Sequence, residues 1–592
     1  MAVNSVRVRR RFVLGGLSSG VAAVLLAACS KPAATSAPTA AAPAVAAQPT
    51  PTAAMVIAAP TPVPAQAKPT VAATAQSAVA APATVQPQAT TASATNVKRG
   101  GSIKAAVQGD WATMDPPLAQ VGWVDEDLVF DYLTQIVRNP ATGIFEVKPS
   151  LAESWQIPDP NTVVFKLRQG VKFHDGSDFN AQVAQWNFER MITNPKSTAK
   201  TETASIKSVD VVDDYTLKLN LKFPSPAIFV SLTSDAFGVA AMTSQEHWKK
   251  VGDAGVAREP VGTGPFKFVE WKPSDHTLYK SSGMYWKNGV DGKPLPYLDQ
   301  VQVNFQPDWT VTLDGLRTGA IDLMAGIAGK DVPTVKNNSN LSYVEAPWQA
   351  TLYNVLFNAR PGARLAGDKM LKVRQAVLYA IDRQAIAKAI GLGIGSPNYY
   401  HLVPGQLGYN ETVDHYTYQP DKAKQLLKES GQTLPFEITA DFISRPEDQQ
   451  NAQIYKDMLA KVGINLTLRP QERLAWVKRT LAGEFEFGTF LSGTFVDPDS
   501  TVEFRFGAKG PGNYAAWNNP QVQKLIDQGR STYDTKERQG IYEQIDKLVF
   551  DDAYYGFIWR RSGNFAYTKA LQNVDTPWSG YFMNSTPLWL NK

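Results

Sequence analysis

Pro149-Ser-Leu-Ala-Glu-Ser-Trp155 and Gly170-Val-Lys-Phe-His-Asp-Gly176 flank the run Thr162-Val-Val-Phe-Lys-Leu-Arg168. The central run mixes β-branched residues with polar–apolar alternation, and Asp175-Gly176 supplies a turn, so the stretch predicts a strand closed by a tight reversal. Asn180 then caps a helix that runs through Trp186 toward Met191. Ile206–Val212 and Tyr215–Leu221 predict a hairpin around Asp213-Asp214, with Leu217, Leu219 and Leu221 on one face and Lys218 and Asn220 on the other. Upstream, Ser102–Val107 has strand composition after Gly100-Gly101, and order is expected to begin near Lys98.

The second half repeats a different unit: helix, glycine stop, strand. Asp308–Thr318 ends at Gly319 before Ile321-Asp-Leu323, and Pro420 starts a helix that ends before Gly431. Asp448–Val462 ends at Gly463 and feeds Ile464–Leu468, while Glu472–Ala482 ends at Gly483 and feeds Phe485–Phe490. Strands alternating with capped helices predict α/β lobes, and the strand-rich first half predicts a mixed α+β lobe.

The N-terminal part is of another kind. Arg7 to Arg11 followed by the short apolar stretch Phe12–Ala28 predict an export signal, too short for a comfortable membrane span. Arg9-Arg10-Arg11-Phe12-Val13 is similar to a twin-arginine signal, and Leu26-Ala27-Ala28-Cys29 to a bacterial lipobox, with Cys29 as the lipid-bearing mature N-terminus. From Lys31 to Thr95, 47 of 65 residues are Ala, Pro or Thr, with no acidic residue. Such a segment cannot bury enough surface to offset its chain entropy, so 30–97 predicts a semi-extended tether; a glycosylated stalk is the alternative.

Composition then excludes whole classes. The chain of 592 residues has one Cys, which rules out a disulfide framework and Cys-rich zinc sites. Of its 59 Lys+Arg, six lie in the acid-free stretch 1–97, so the folded body is close to neutral against 54 Asp+Glu. The basic balance is part of the export address, and no electrostatic case for nucleic acid remains. Gly16-Leu-Ser-Ser-Gly20 lies inside the leader, and Gly391-Leu-Gly-Ile-Gly395 follows a helix rather than a strand, so neither is a nucleophile elbow or a dinucleotide loop. The five histidines lack metal-ligand spacing, and His174-Asp175 is read as a turn rather than a catalytic dyad. No cofactor, metal or catalytic residue is expected. Aromatic residues remain: Trp123 after Gly122, Trp476 with Arg473 on a short helix, and the run Phe490-Leu-Ser-Gly-Thr-Phe-Val-Asp-Pro498, leaving a strand into a polar turn. Loops at the ends of α/β strands are where ligands are usually held.

The body resembles the extracellular solute-binding proteins, family 5, of peptide-, nickel- and oligosaccharide-type ABC importers. The resemblance rests on the stretch quoted first, on Val261-Gly-Thr-Gly-Pro-Phe-Lys267, on Asn358 and on Val373-Arg-Gln-Ala-Val-Leu-Tyr-Ala-Ile-Asp-Arg383, and it runs from about Gly100 to Tyr567. It implies a two-lobe periplasmic-binding-protein-like α/β fold: lobe I over 98–345 with an extra subdomain at 131–204, lobe II over 346–554, and a return to lobe I over 555–592. Ligand would be enclosed between the lobes by hinge closure, and the closed form would dock on the permease. The implied partners are a peptide or similarly sized organic solute, an ABC permease, and the outer side of the cytoplasmic membrane through Cys29; the chain would act as a monomer.

The candidate ligand-binding residues are Gly122, Trp123, Arg473, Trp476, Ser492, Thr494, Phe495, Asp497 and Trp559. In peptide-binding members an Asp four residues before the loop proline receives the α-amino group; here that position is Thr494, whose neutral hydroxyl cannot pair with a desolvated ammonium. A Trp of those members corresponds approximately to Arg473. Asp497 would serve a cation if it pointed inward, whereas Trp123, Trp476, Phe495 and Trp559 would stack on sugar or other flat surfaces. An oligosaccharide ligand, a secreted carboxylate-dependent hydrolase and a sensory or adhesive binding protein are the alternatives.

Overall fold

The computed structural model describes residues 97–119, 126–234, 239–410, 415–574 and 587–591. These residues lie in one compact unit, 85–592. The leader, Cys29, the Ala/Pro/Thr-rich segment to residue 96, Gly122 and Trp123 lie outside the described residues.

The first lobe opens with β1 (Ser102–Val107). A subdomain follows, in which β2 (Thr134–Arg138) and β3 (Phe145–Pro149) form a hairpin. Beside it β4 (Ala152–Asp159), β5 (Thr162–Leu167), β6 (Ile206–Asp213) and β7 (Thr216–Leu221) make a sheet in the order β4-β5-β7-β6. The alternation in β7 works as expected: Leu217 and Leu219 are fully buried against Phe165 and Phe188 in one apolar cluster. Because β7 pairs with β5, this layer continues past residue 204, to Leu221. Asn180 caps the Ala181–Thr193 helix by accepting from Val183 N. Returning to the main sheet, lobe I adds β8 (Phe266–Lys272), β9 (His276–Ser281), β10 (Gln300–Phe305) and β11 (Leu323–Ala325).

Two long strands join the lobes: β12 (Leu341–Phe357) and, near the C-terminus, β17 (Tyr555–Thr568). Between them lobe II contributes β13 (Ser396–Pro397), β14 (Phe436–Ile443), β15 (Ile464–Gln471) and β16 (Phe487–Ser492). One eleven-stranded sheet runs through both lobes in the order β15-β14-β16-β12-β17-β11-β1-β10-β9-β8, with β13 beside β17. The fold is thus the expected α/β two-lobe architecture. The β12–β17 ladder is regular up to Ala346–Gly563 and shifts register before Ala350–Ser562, so the irregularity falls at residues 347–349 between the lobes. Pro347 has no N–H to give a ladder, so the interruption falls where the sequence cannot sustain one.

The motifs quoted in the sequence stitch elements together. A Cβ on Gly264 would lie 2.5 Å from the Val129 carbonyl carbon, so only glycine admits that close passage. His174 Nε2 sits 2.8 Å from the Gly264 carbonyl oxygen, while Asp175 accepts from Ser177 and Ser244. The His174–Asp175 pair is therefore two separate structural anchors. Asn358 donates to the carbonyls of Gly483 and Phe485. Arg374 and Arg383 donate to the carbonyls of Asp552 and Phe557.

Candidate functional site

Parallel strands end at the junction from both sides. In lobe I, β1, β10 and β11 run parallel, and Ala325 at the carboxyl end of β11 pairs with Phe565 close to the interruption. In lobe II, β14, β15 and β16 run parallel, and Ser492 at the carboxyl end of β16 pairs with Leu352. The carboxyl edges of the two half-sheets thus converge on residues 347–349, the place where open α/β sheets hold ligands.

Across this edge runs a row of cross-strand neighbours on one face: Ser492, Leu352, Arg560 and Ser396. Asn354, two residues along β12 from Leu352, donates to Ser492 Oγ at 2.9 Å. The loop beyond Ser492 closes over the interruption, because the Thr494 hydroxyl donates to the Trp348 carbonyl at 3.0 Å and Gln406 donates to the Phe495 carbonyl. Trp348 packs edge-on against Phe145 at 5.3 Å between ring centroids, and Phe145 N donates to the Gly405 carbonyl at 2.9 Å. Lobe II and the subdomain therefore touch directly beside the junction.

Ser492, Thr494 and Phe495 are brought together at this edge, each half-buried. Arg473 begins the Arg473–Leu481 helix after β15, is exposed, and forms no ion pair among the described residues. Three other candidates are placed elsewhere by packing, which corrects the expectation that they face ligand. Trp476 is 2 % exposed in the lobe II core, edge-on to Tyr514, because the amphipathic face of its short helix turns inward. Trp559 is fully buried, stacked on Tyr353 at 4.1 Å, with its indole N–H donating to Asn451. Asp497 caps the Pro498–Phe506 helix and receives both arms of Arg538, at 2.8 and 3.0 Å, so its charge is spent internally.

The same holds for the other carboxylates along the lobe II edge. Asp441 receives two bonds from Arg469, Asp448 pairs with Arg445, and Glu447 pairs with Arg561 while accepting from the Tyr353 hydroxyl at 2.6 Å. The residue that sequence reasoning missed is Arg560. It is 8 % exposed, and its contacts are neutral and long: Asn398 Oδ1 at 3.5 Å and the Tyr409 hydroxyl at 3.4 Å. The doublet Arg560-Arg561 was its only trace in the sequence, and a doublet does not tell which arginine points inward.

Residues 146–514 match the family model described as bacterial extracellular solute-binding proteins, family 5 Middle. The chain is 30 % identical over 441 residues to the heme-binding protein A of Haemophilus influenzae, covering 69 % of this chain and 78 % of that one. It is 30 % identical over 444 residues to the dipeptide-binding protein of Escherichia coli, covering 69 % and 80 %. The crystal structure of the ABC transporter substrate-binding protein CtaP from Listeria monocytogenes superposes with a TM-score of 0.71 at 25 % identity, over 84 % of this chain and all of that one.

Proposed function

The chain belongs to the bacterial extracellular solute-binding proteins of family 5, and on that premise we propose that it is the substrate-binding lipoprotein of an ABC importer. In this reading it captures a peptide or similarly sized organic solute between its lobes and delivers it to the permease, as a monomer and without covalent chemistry. The observation that carries the reading is the convergence of both carboxyl edges on a junction spanned by two strands with an interrupted ladder. In this reading, rotation about that junction opens and closes the cleft. The matched relatives, a heme-binding and a dipeptide-binding protein, favour an organic solute of moderate size.

Ser492, Thr494, Phe495 and Arg473 are proposed as the ligand-facing set on lobe II, and Gly122 and Trp123 as their counterparts on lobe I. Cys29 is proposed to carry the lipid that holds the body on the outer side of the cytoplasmic membrane. Native mass spectrometry of the full protein, extracted from the membranes of the cell that makes it, tests both parts. The expected spectrum shows a lipid mass on Cys29 and one equivalent of a non-covalent organic solute. An unmodified Cys29 would overturn the anchoring, and a solute found chemically altered by the protein would overturn pure capture.

A further inference from the structure

Six arginines are buried among the described residues, and five of them make at least one bond of 2.8 Å or shorter. Arg190 and Arg538 meet carboxylates, with shortest bonds of 2.6 and 2.8 Å to Asp115 and Asp497. Arg374, Arg383 and Arg505 meet main-chain carbonyls, with shortest bonds of 2.7, 2.7 and 2.8 Å. Arg560 alone has no bond shorter than 3.4 Å and no anionic partner, and its Nε is buried with nothing to donate to. A guanidinium cannot shed its charge to relieve burial, so such a site is costly unless an anion completes it.

Its position says where that anion comes from. Arg560 lies on a crossover strand, in the row with Leu352 and Ser492 at the converging carboxyl edges. On the same face Asn354 Oδ1 is buried without a donor. The neighbouring carboxylates Asp441, Glu447, Asp448 and Asp497 are all held by other arginines. The site thus offers an unmet cationic fork and an unmet acceptor, and these four carboxylates are already paired. We propose that Arg560 is the anchor for a carboxylate of the transported solute, with Asn354 accepting from an amide or hydroxyl donor of the same molecule. This selects anionic solutes, such as peptides held by the C-terminal end, over neutral oligosaccharides. It rests on the solute-capture reading above.

The test uses the full chain, freed of any co-purified solute, and two matched libraries of di- to tetrapeptides, one with free C-terminal carboxylates and one amidated, together with neutral malto-oligosaccharides. Free acids are expected to bind at least about thirty-fold more tightly than amides, as expected for a desolvated charge pair. Arg560→Gln is expected to abolish that ratio, and Arg560→Lys, which keeps the charge and loses the fork, to retain part of it. Amides binding as tightly as acids, neutral sugars binding alone, or an acid-to-amide ratio unchanged in Arg560→Gln would each overturn the anchor while leaving solute capture standing. An Arg560→Gln protein that only loses thermal stability, with the ratio intact, belongs to that last outcome. Binding of no compound by the wild-type chain would overturn the capture reading, and the anchor with it.

Discussion

Burial pushes the Asp499 carboxyl up from 3.8 to about 6, against the pull of Arg530, and pushes the His174 imidazole down from 6.5 to about 4. The two act in opposite directions. Between about pH 4 and 6 the folded chain holds the Asp499 proton more tightly than the unfolded one, so this contribution to stability falls as pH rises. Over about pH 4 to 6.5 the unfolded chain is the one that protonates at His174, so that contribution rises with pH. Asp499→Asn removes the falling part. The variant should gain on the order of 2 kcal/mol near pH 7 and show a steeper rise of stability across the window in urea titrations at several pH values. An unchanged slope would contradict this assignment. Single residues were also where the sequence was least legible. Gly264 leaves no room for a Cβ, and Asn358, Arg374 and Arg383 each tie down main-chain carbonyls, so these positions carry a recognisable pattern. Trp476, Trp559 and Asp497 show no such pattern, since an aromatic or acidic residue near a strand end is equally compatible with core, cap or ligand contact until packing decides.

Among elements, the helices of lobe II were legible because their punctuation is local: Pro420 at the first position, Gly463 and Gly483 beyond the last turn. The crossover strand β12 was not, because Pro347 breaks the alternation and argues against a central strand, whereas the fold accommodates it at the ladder interruption. The linker between the Pro520–Ser531 and Thr535–Asp552 helices was equally silent, yet its Tyr533 reaches the subdomain. The Tyr533 hydroxyl donates to the Pro160 carbonyl at 3.0 Å and accepts from Ser225 N at 3.3 Å. These bonds join lobe II to the subdomain in the lobe arrangement seen here. Tyr533→Phe is expected to shift apparent solute affinity about three- to ten-fold, with little change in melting temperature, because it frees one lobe arrangement relative to the other. Affinity equal to wild type by calorimetry would remove Tyr533 from the contacts that bias the lobes.

For the whole molecule, a low-complexity segment and a near-neutral α/β body were readable from composition and spacing, since each depends on averages over many residues, whereas the two-lobe arrangement was implied by the family resemblance. The unusual setting of Arg560 was not readable, because it stands out only by comparison with the other five buried arginines. The central claim is that a solute closes the two lobes and leaves unchanged. Hydrogen exchange followed by mass spectrometry, on the stripped full chain with and without one equivalent of the solute recovered from it, tests that claim directly. The account predicts altered protection at the amides of Phe145 and Ser225, which donate across the two lobe contacts, with the solute recovered intact. Equal exchange at both amides, or a solute converted to another compound, would contradict it.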